Sequence, residues 1–139
     1  MRPSALYEVL ATDSELNSLG VTGDRIKESQ SVDSRPFSTG YFLTVSGDEV
    51  LFSTTTVLEH GPRTFVVAVH TSADETRDYT IIDKIISRVS KIYKDMENVT
   101  GADGCRVSEV RCRGRSGNLV DEGWKTISRT VTYGVLYRE

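Results

Sequence analysis

With 139 residues, 17 Lys and Arg against 20 Asp and Glu, and a hydrophobic fraction of 37%, the chain has the make-up of an ordinary soluble domain large enough to bury a core. No apolar run approaches the roughly 20 residues that span a bilayer. The opening MRPSALYEVLATD is too polar for a secretory leader, so the expected setting is the cytosol.

The first expected element is a short helix over Pro3–Leu10, with proline in the first turn and Leu6, Val9 and Leu10 on one side. Asp13 then offers a cap to a second turn that carries Leu16 and Leu19 and stops at Gly20. Arg25–Gln30 reads as a short strand, and the stretch from Ser31 to Phe37 as a connector broken at Pro36. From Tyr41 the pattern changes. Tyr41–Val45 is rich in aromatic and β-branched residues, Ser46–Glu49 supplies a turn, and Val50–Thr56 follows as a weaker strand. A projecting arm or loop is expected around residues 46–62, with His60, Gly61 and Pro62 as a break. Arg63–Thr71 is apolar on both faces over most of its length, as a central strand would be.

Asp78–Met96 carries the strongest signal. Ile82, Ile85, Ile86, Val89, Ile92, Tyr93 and Met96 recur at the three-and-four spacing of one helix face, with charged residues between them. Thr76 or Asp78 can cap its first turn. Its many β-branched isoleucines weaken intrinsic helix propensity, so the helix should form by packing on a sheet. Residues 97–104 read as a loop, Cys105–Arg113 as an imperfectly alternating strand, and Gly114–Gly123 as an exposed loop. In the last strand, Trp124–Tyr137, Ile127, Val131, Tyr133, Val135 and Tyr137 share one parity, while Thr126, Ser128, Thr130 and Thr132 share the other. One side should be buried, and the other wet or against a neighbour. The element order predicts a single α+β domain over 1–139, a mainly antiparallel sheet with one long amphipathic helix on a face and a short N-terminal helix.

Catalytic signatures are not visible. The glycines are too scattered for a phosphate loop, His60 and His70 have no ligand-spaced partner, and Ser116 does not sit in a GxSxG elbow. Asp121 and Glu122 are adjacent, so on an extended chain they point apart, a poor geometry for shared acid–base work. Cys105 and Cys112 lie seven apart without a CxxC or Cys/His cluster. They read as two free thiols, which would point to opposite faces of a regular strand. No cofactor or metal is implied. Charge is unevenly spread: residues 1–60 hold four Lys/Arg against nine Asp/Glu, and residues 61–139 hold thirteen against eleven. Arg106, Arg111, Arg113 and Arg115 form the one basic cluster, with Arg111 and Arg113 expected on one strand face. No aromatic residue is interleaved for base stacking. Arg111, Arg113 and Arg115 meeting carboxylates such as Asp121 and Glu122 across a subunit interface is the favoured reading over phosphate contact.

Taken together, Gly61-Pro62-Arg63, Val69-His70, Asp78-Tyr79, Ile82-Asp83, the run Val99–Gly104, the run Gly114–Gly123 and the opening Met1-Arg2-Pro3-Ser4 give the chain a family likeness. It resembles the tail terminator proteins of long-tailed, siphovirus-type bacteriophages, notably those infecting actinobacteria. The succession of motifs carries the resemblance, which is firmest from Gly61 onward, and residues 44–58 match least. It implies a structural virion protein without catalytic activity or cofactor, assembled in the host cytoplasm. Copies would close a ring, expected as a hexamer, on the head-proximal end of the tail tube. In that setting the surface facing Arg111, Arg113 and Arg115 would belong to a neighbouring subunit or to the tube. The implied partners are the chain itself, the major tail tube protein and a head-completion or connector protein, with no membrane and no sequence-specific nucleic acid, though DNA would pass through the ring. Three readings compete: another neck component, a small enzyme or ligand-binding α+β domain, and a nucleic-acid binder using the arginine cluster.

Overall fold

The computed structural model describes residues 4–28, 35–47 and 61–138. Proline 3, the connector's first residues and the expected strand Val50–Thr56 lie outside them. So does most of the expected arm, residues 48–60. The remainder of that arm is strand: residues 46 and 47 end β2, and residues 61 and 62 begin β3.

Helix α1 (Ala5–Ala11) leads into α2 (Ser14–Ser18), whose first turn is capped by the Asp13 carboxylate accepting from the Leu16 N–H at 2.9 Å. A 3-10 turn at Gly23–Arg25 delivers β1 (Ile26–Glu28). Strands β2 (Phe42–Gly47) and β3 (Gly61–Ser72) follow, then α3 (Thr80–Lys94). The chain finishes with β4 (Glu97–Thr100), β5 (Arg106–Arg115), β6 (Leu119–Asp121) and β7 (Thr126–Arg138). The sheet order is β1-β2-β3-β7-β5-β4. β1 pairs with β2 in parallel, and every other pairing is antiparallel. The α+β class and the mainly antiparallel sheet are therefore as expected. Two segments expected as loops are strands instead. Residues 97–100 pair with β5, and Leu119–Asp121 pair with β7.

β7 is the axis. β3 runs along one of its edges through residues 126–137. Its other edge is shared, with β6 beside residues 126–128 and β5 beside residues 131–138. The odd-numbered residues of β3 and β7 face the helices, and Phe65, Val67, Val69, Ile127, Val131, Tyr133 and Val135 are all buried there. Helix α3 lays Ile82, Ile85, Ile86, Val89 and Tyr93 onto this face.

Polar contacts then fix the helices to one another. The Tyr93 hydroxyl, fully enclosed, donates to the Leu6 carbonyl at 2.9 Å, and its ring meets Tyr133 edge-on at 5.0 Å. Burial pushes the Tyr93 hydroxyl well above its ordinary pKa, so it remains a donor. Arg88, on the supposedly wet side of α3, forms a fork onto Asp13 at 3.0 and 2.7 Å and also reaches Glu15 at 2.9 Å. One arginine thus ties the cap of α2 to α3. The start of α1 is held by the turn after β4. Ser4 N–H donates to Asp103 at 2.9 Å, Asp103 N–H donates to the Ser4 hydroxyl at 3.2 Å, and Ala102 N–H donates to Glu8. Gly101 is needed there, since a Cβ would overlap the Ser4 hydroxyl and lie 2.6 Å from the Ala5 nitrogen. Among the described residues no helix is long and apolar enough to cross a membrane.

Two substitutions test this packing. Ile85 is 0% exposed, so Ile85→Ala should cost about 2–5 kcal/mol in denaturant unfolding. A near-neutral midpoint would mean that the buried face of α3 is wrongly assigned. Gly101→Ala should cost about 1–3 kcal/mol by forcing α1 away from the turn, while Gly104→Ala, with nothing near its Cβ but a φ of +83°, should cost less.

Candidate functional site

β5 explains why the arginine segment alternates so poorly in sequence. Its register with β7 shifts between Val107 and Glu109 and again between Cys112 and Gly114. Each shift inserts an extra residue and flips the side-chain parity of the residues beyond it. Val107, Val110, Cys112 and Arg115 pair with Tyr137, Val135, Tyr133 and Val131, so they share the helix-bearing face. Arg106, Glu109 and Arg111 pair with Arg138, Leu136 and Gly134 on the opposite face.

Arg111 and Arg113 therefore do share a face. Both border a shallow depression with Glu109, Gly134 and Leu136. Gly134 makes that possible, because a Cβ there would collide with the Arg113 guanidinium. Arg111 pairs with Glu109 at 3.2 Å, but their side chains are 75% and 48% exposed, so the pair contributes little. Arg115 leaves their face. It lies on the helix side, bordering a cleft with Ser90, Lys94, Cys112 and Tyr133 that Arg111 also reaches. The bulge at Arg113 is the reason. The earlier shift, at Ser108, puts Cys112 on the same side of the sheet as Val107, and Cys105 lies just before β5, so the two cysteines do not share the regular strand on which they would face opposite ways. Both are free, Cys105 buried and Cys112 exposed.

Register also brings in residues that sequence spacing did not single out. Arg138 stands directly opposite Arg106, and Leu136 opposite Glu109. Like charges in direct cross-strand register repel. Among the described residues Arg106, Arg113 and Arg138 make no ion pair. Their clustering could not be read before the bulges were known.

The acidic pair sits at the other end of β7. Asp121 pairs with Thr126, eight positions from the Arg111 partner Gly134, which is about 26 Å at roughly 3.3 Å per residue. Asp121 accepts from the Trp124 N–H at 2.9 Å and so closes the turn into β7, while Glu122 is exposed at its tip. The segment before it is pinned. Ser116 N–H donates to the Thr130 carbonyl at 2.9 Å, and the Tyr79 hydroxyl donates to the Leu119 carbonyl at 2.8 Å. Arg129 bridges Asn118 and Asp83 at 2.7 and 2.8 Å. Arg111 and Arg113 thus cannot meet Asp121 and Glu122 within one chain.

Beneath this turn, the face expected to be wet or against a neighbour is closed by the chain's own rings. His70 stacks on Phe42 at 5.1 Å and tilts against Trp124 at 5.2 Å, and Phe37 meets Phe42 at 5.8 Å. Thr126 and Ser128 are buried under these rings. His70 Nδ1 lies 3.0 Å from the Thr126 hydroxyl. Burial lowers its pKa from 6.5 to about 4, against a weak opposing pull from Asp121. The ring is a neutral structural group. No set of three or more His, Cys, Asp or Glu among the described residues could hold a metal ion.

No protein-family model matches the chain, and no curated protein is significantly similar to it. Among solved structures it is similar to a chain in the virion of a native gene transfer agent particle. That match has a TM-score of 0.64 at 14% identity, covering 96% of this chain and 92% of the other. At this identity the likeness establishes a shared fold over almost the whole of both chains.

The buried histidine gives a pH test. The unfolded chain takes up a proton near pH 6.5, whereas the folded chain resists it until about 4. Stability should therefore be fully present above pH 6.5 and fall as pH drops toward 4, with a slope of at most about 1.4 kcal/mol per unit from this group. His70→Asn should flatten that part of the curve. Parallel curves for the two proteins would show that His70 does not titrate in this way.

Proposed function

We propose that the chain is a structural virion subunit of the tail-terminator type. Copies close a ring, six in the reading favoured here, on the head-proximal end of a phage-type tail tube. The ring ends tube growth and offers its outer face to a head-completion or connector protein. The observation that carries this reading is the likeness, over nearly the full length of both chains, to a chain of a gene transfer agent virion. The motif succession of the sequence points the same way. The subunit supports it physically: one rigid sheet, tied to its helices by Tyr93 and Arg88, presents a basic patch at one end of β7 and an acidic turn at the other. Contacts between unlike surfaces of identical subunits are those from which rings are built. In this reading the work is done by assembly rather than catalysis, no cofactor takes part, and DNA passes through the ring without sequence readout. The protein is assembled in the host cytoplasm and ends in the neck of the virion.

Capping of tubes tests the proposal. Purified chain added to polymerising tail tube protein should stop growth at one end, and electron micrographs should show a ring on that end and shorter tubes as the chain is increased. Tube lengths unchanged at all ratios, with no ring on any tube end, would contradict the terminator assignment. Binding to the head vertex without binding to tubes would instead mark another neck component.

A further inference from the structure

We infer that the arginine face around Leu136 and the β6 turn carrying Asp121 and Glu122 are the two halves of one contact, made between successive copies of this chain. The inference rests on the ring reading above and names the surfaces that join its subunits.

Exposure and charge carry it together. Among the described residues, the exposed large hydrophobic side chains are Leu119, Val120 and Leu136, at 41%, 57% and 38%. They are not scattered. Leu136 lies amid Arg111, Arg113 and Arg138, whereas Leu119 and Val120 immediately precede Asp121 and Glu122. Each patch thus combines apolar surface with a predominant sign of charge, four arginines against Glu109 around Leu136 and two carboxylates in the β6 turn, and the predominant signs are opposite. Within the subunit the basic patch is relieved only at Arg111, by the exposed pair with Glu109; Arg106 and Arg138 face each other, and among the described residues Arg113 has no carboxylate partner. A partner that supplies carboxylates beside apolar side chains would remove that repulsion and cover Leu136, and the β6 turn has this composition. Since the two patches sit at opposite ends of β7, the contact can only be made head to tail. It then repeats from copy to copy until the ring closes.

Charge reversal gives a test with an internal rescue. One variant is Arg111→Glu with Arg113→Glu. The other is Val120→Lys with Glu122→Lys, leaving Asp121 in place because it closes the turn. Both change exposed side chains, so each should keep the wild-type circular dichroism and cooperative unfolding. Native mass measurement should find the wild type assembled and each variant alone monomeric, with self-association weakened at least tenfold. An equimolar mixture should assemble again, because the acidic and basic variants alternate around a ring with every contact complementary. Either variant assembling alone as the wild type does, or folded variants that fail to assemble when mixed, would overturn the pairing. So would a wild type that stays monomeric throughout. If the arginine variant assembles normally but no longer binds duplex DNA, the patch belongs to nucleic acid. Tube capping by a protein whose reversed variants still assemble would leave the terminator reading standing and remove only this interface.

Discussion

The structure depends on the pairing of β7 along both of its edges. Its 13 residues take their partners from β3 on one side and from β5 and β6 on the other. Because side chains alternate with period two, this register decides which residues meet the helices. A slip of one position would send Val131, Tyr133 and Val135 out to the open face and bring Thr130, Thr132 and Gly134 under α3. The burial of Ile85 and Val89 against that face, and the reach of Tyr93 to Leu6, both presuppose the register. The strand sets the helices, and the helices hold the N-terminal segment.

The same strand distributes charge. Two irregularities in β5 reassign its residues between the faces, gathering Arg111 and Arg113 with Arg106 and Arg138 and sending Arg115 to the helix side. Regular pairing would have pointed Arg111, Arg113 and Arg115 one way and Arg106 the other. Bulges therefore act here as aiming devices. At the far end, the Asp121 turn fixes where Glu122 projects, and the aromatic group of Phe37, Phe42, His70 and Trp124 stiffens the sheet beneath it. Surfaces about 26 Å apart along a strand of this kind are held at a constant separation and angle, and a closed ring needs its two contact surfaces in such a relation.

How much of this was legible in the sequence depended on how local each cause was. The face of α3 could be read from Ile82, Ile85, Ile86 and Val89 because a helix displays its burial at a fixed spacing. β7 could be read from its odd-numbered apolar residues for the same reason. β4 was hidden, since none of its four residues is buried and only backbone pairing with β5 makes it a strand. β6 was hidden likewise behind glycine-rich flanks. The bulges left only a negative trace, the broken alternation after Cys105, which signals irregular pairing without saying where side chains turn over. The closed surface over Thr126 and Ser128 depends on Phe37 and Phe42, brought from a segment more than eighty residues away in sequence. Composition of the candidate site was legible, but its geometry was only partly so: Arg111 and Arg113 were expected on one face and share it, whereas Arg115 was expected in the loop after the strand and is instead its last residue, on the helix side.

The most direct measurement is a cross-link between the two ends of β7 in assembled protein. Leu136→Cys and Val120→Cys, placed together in a Cys112→Ser background, put one thiol in each patch. Val120 pairs with Ile127, nine positions from Leu136, so the thiols lie about 30 Å apart within a chain at roughly 3.3 Å per residue. A reagent spanning about 10 Å can then join them only between copies. The account predicts a ladder of covalent oligomers that ends at one closed species and is lost when either cysteine is omitted. Monomers alone, from protein shown to be assembled before the reagent is added, would contradict it.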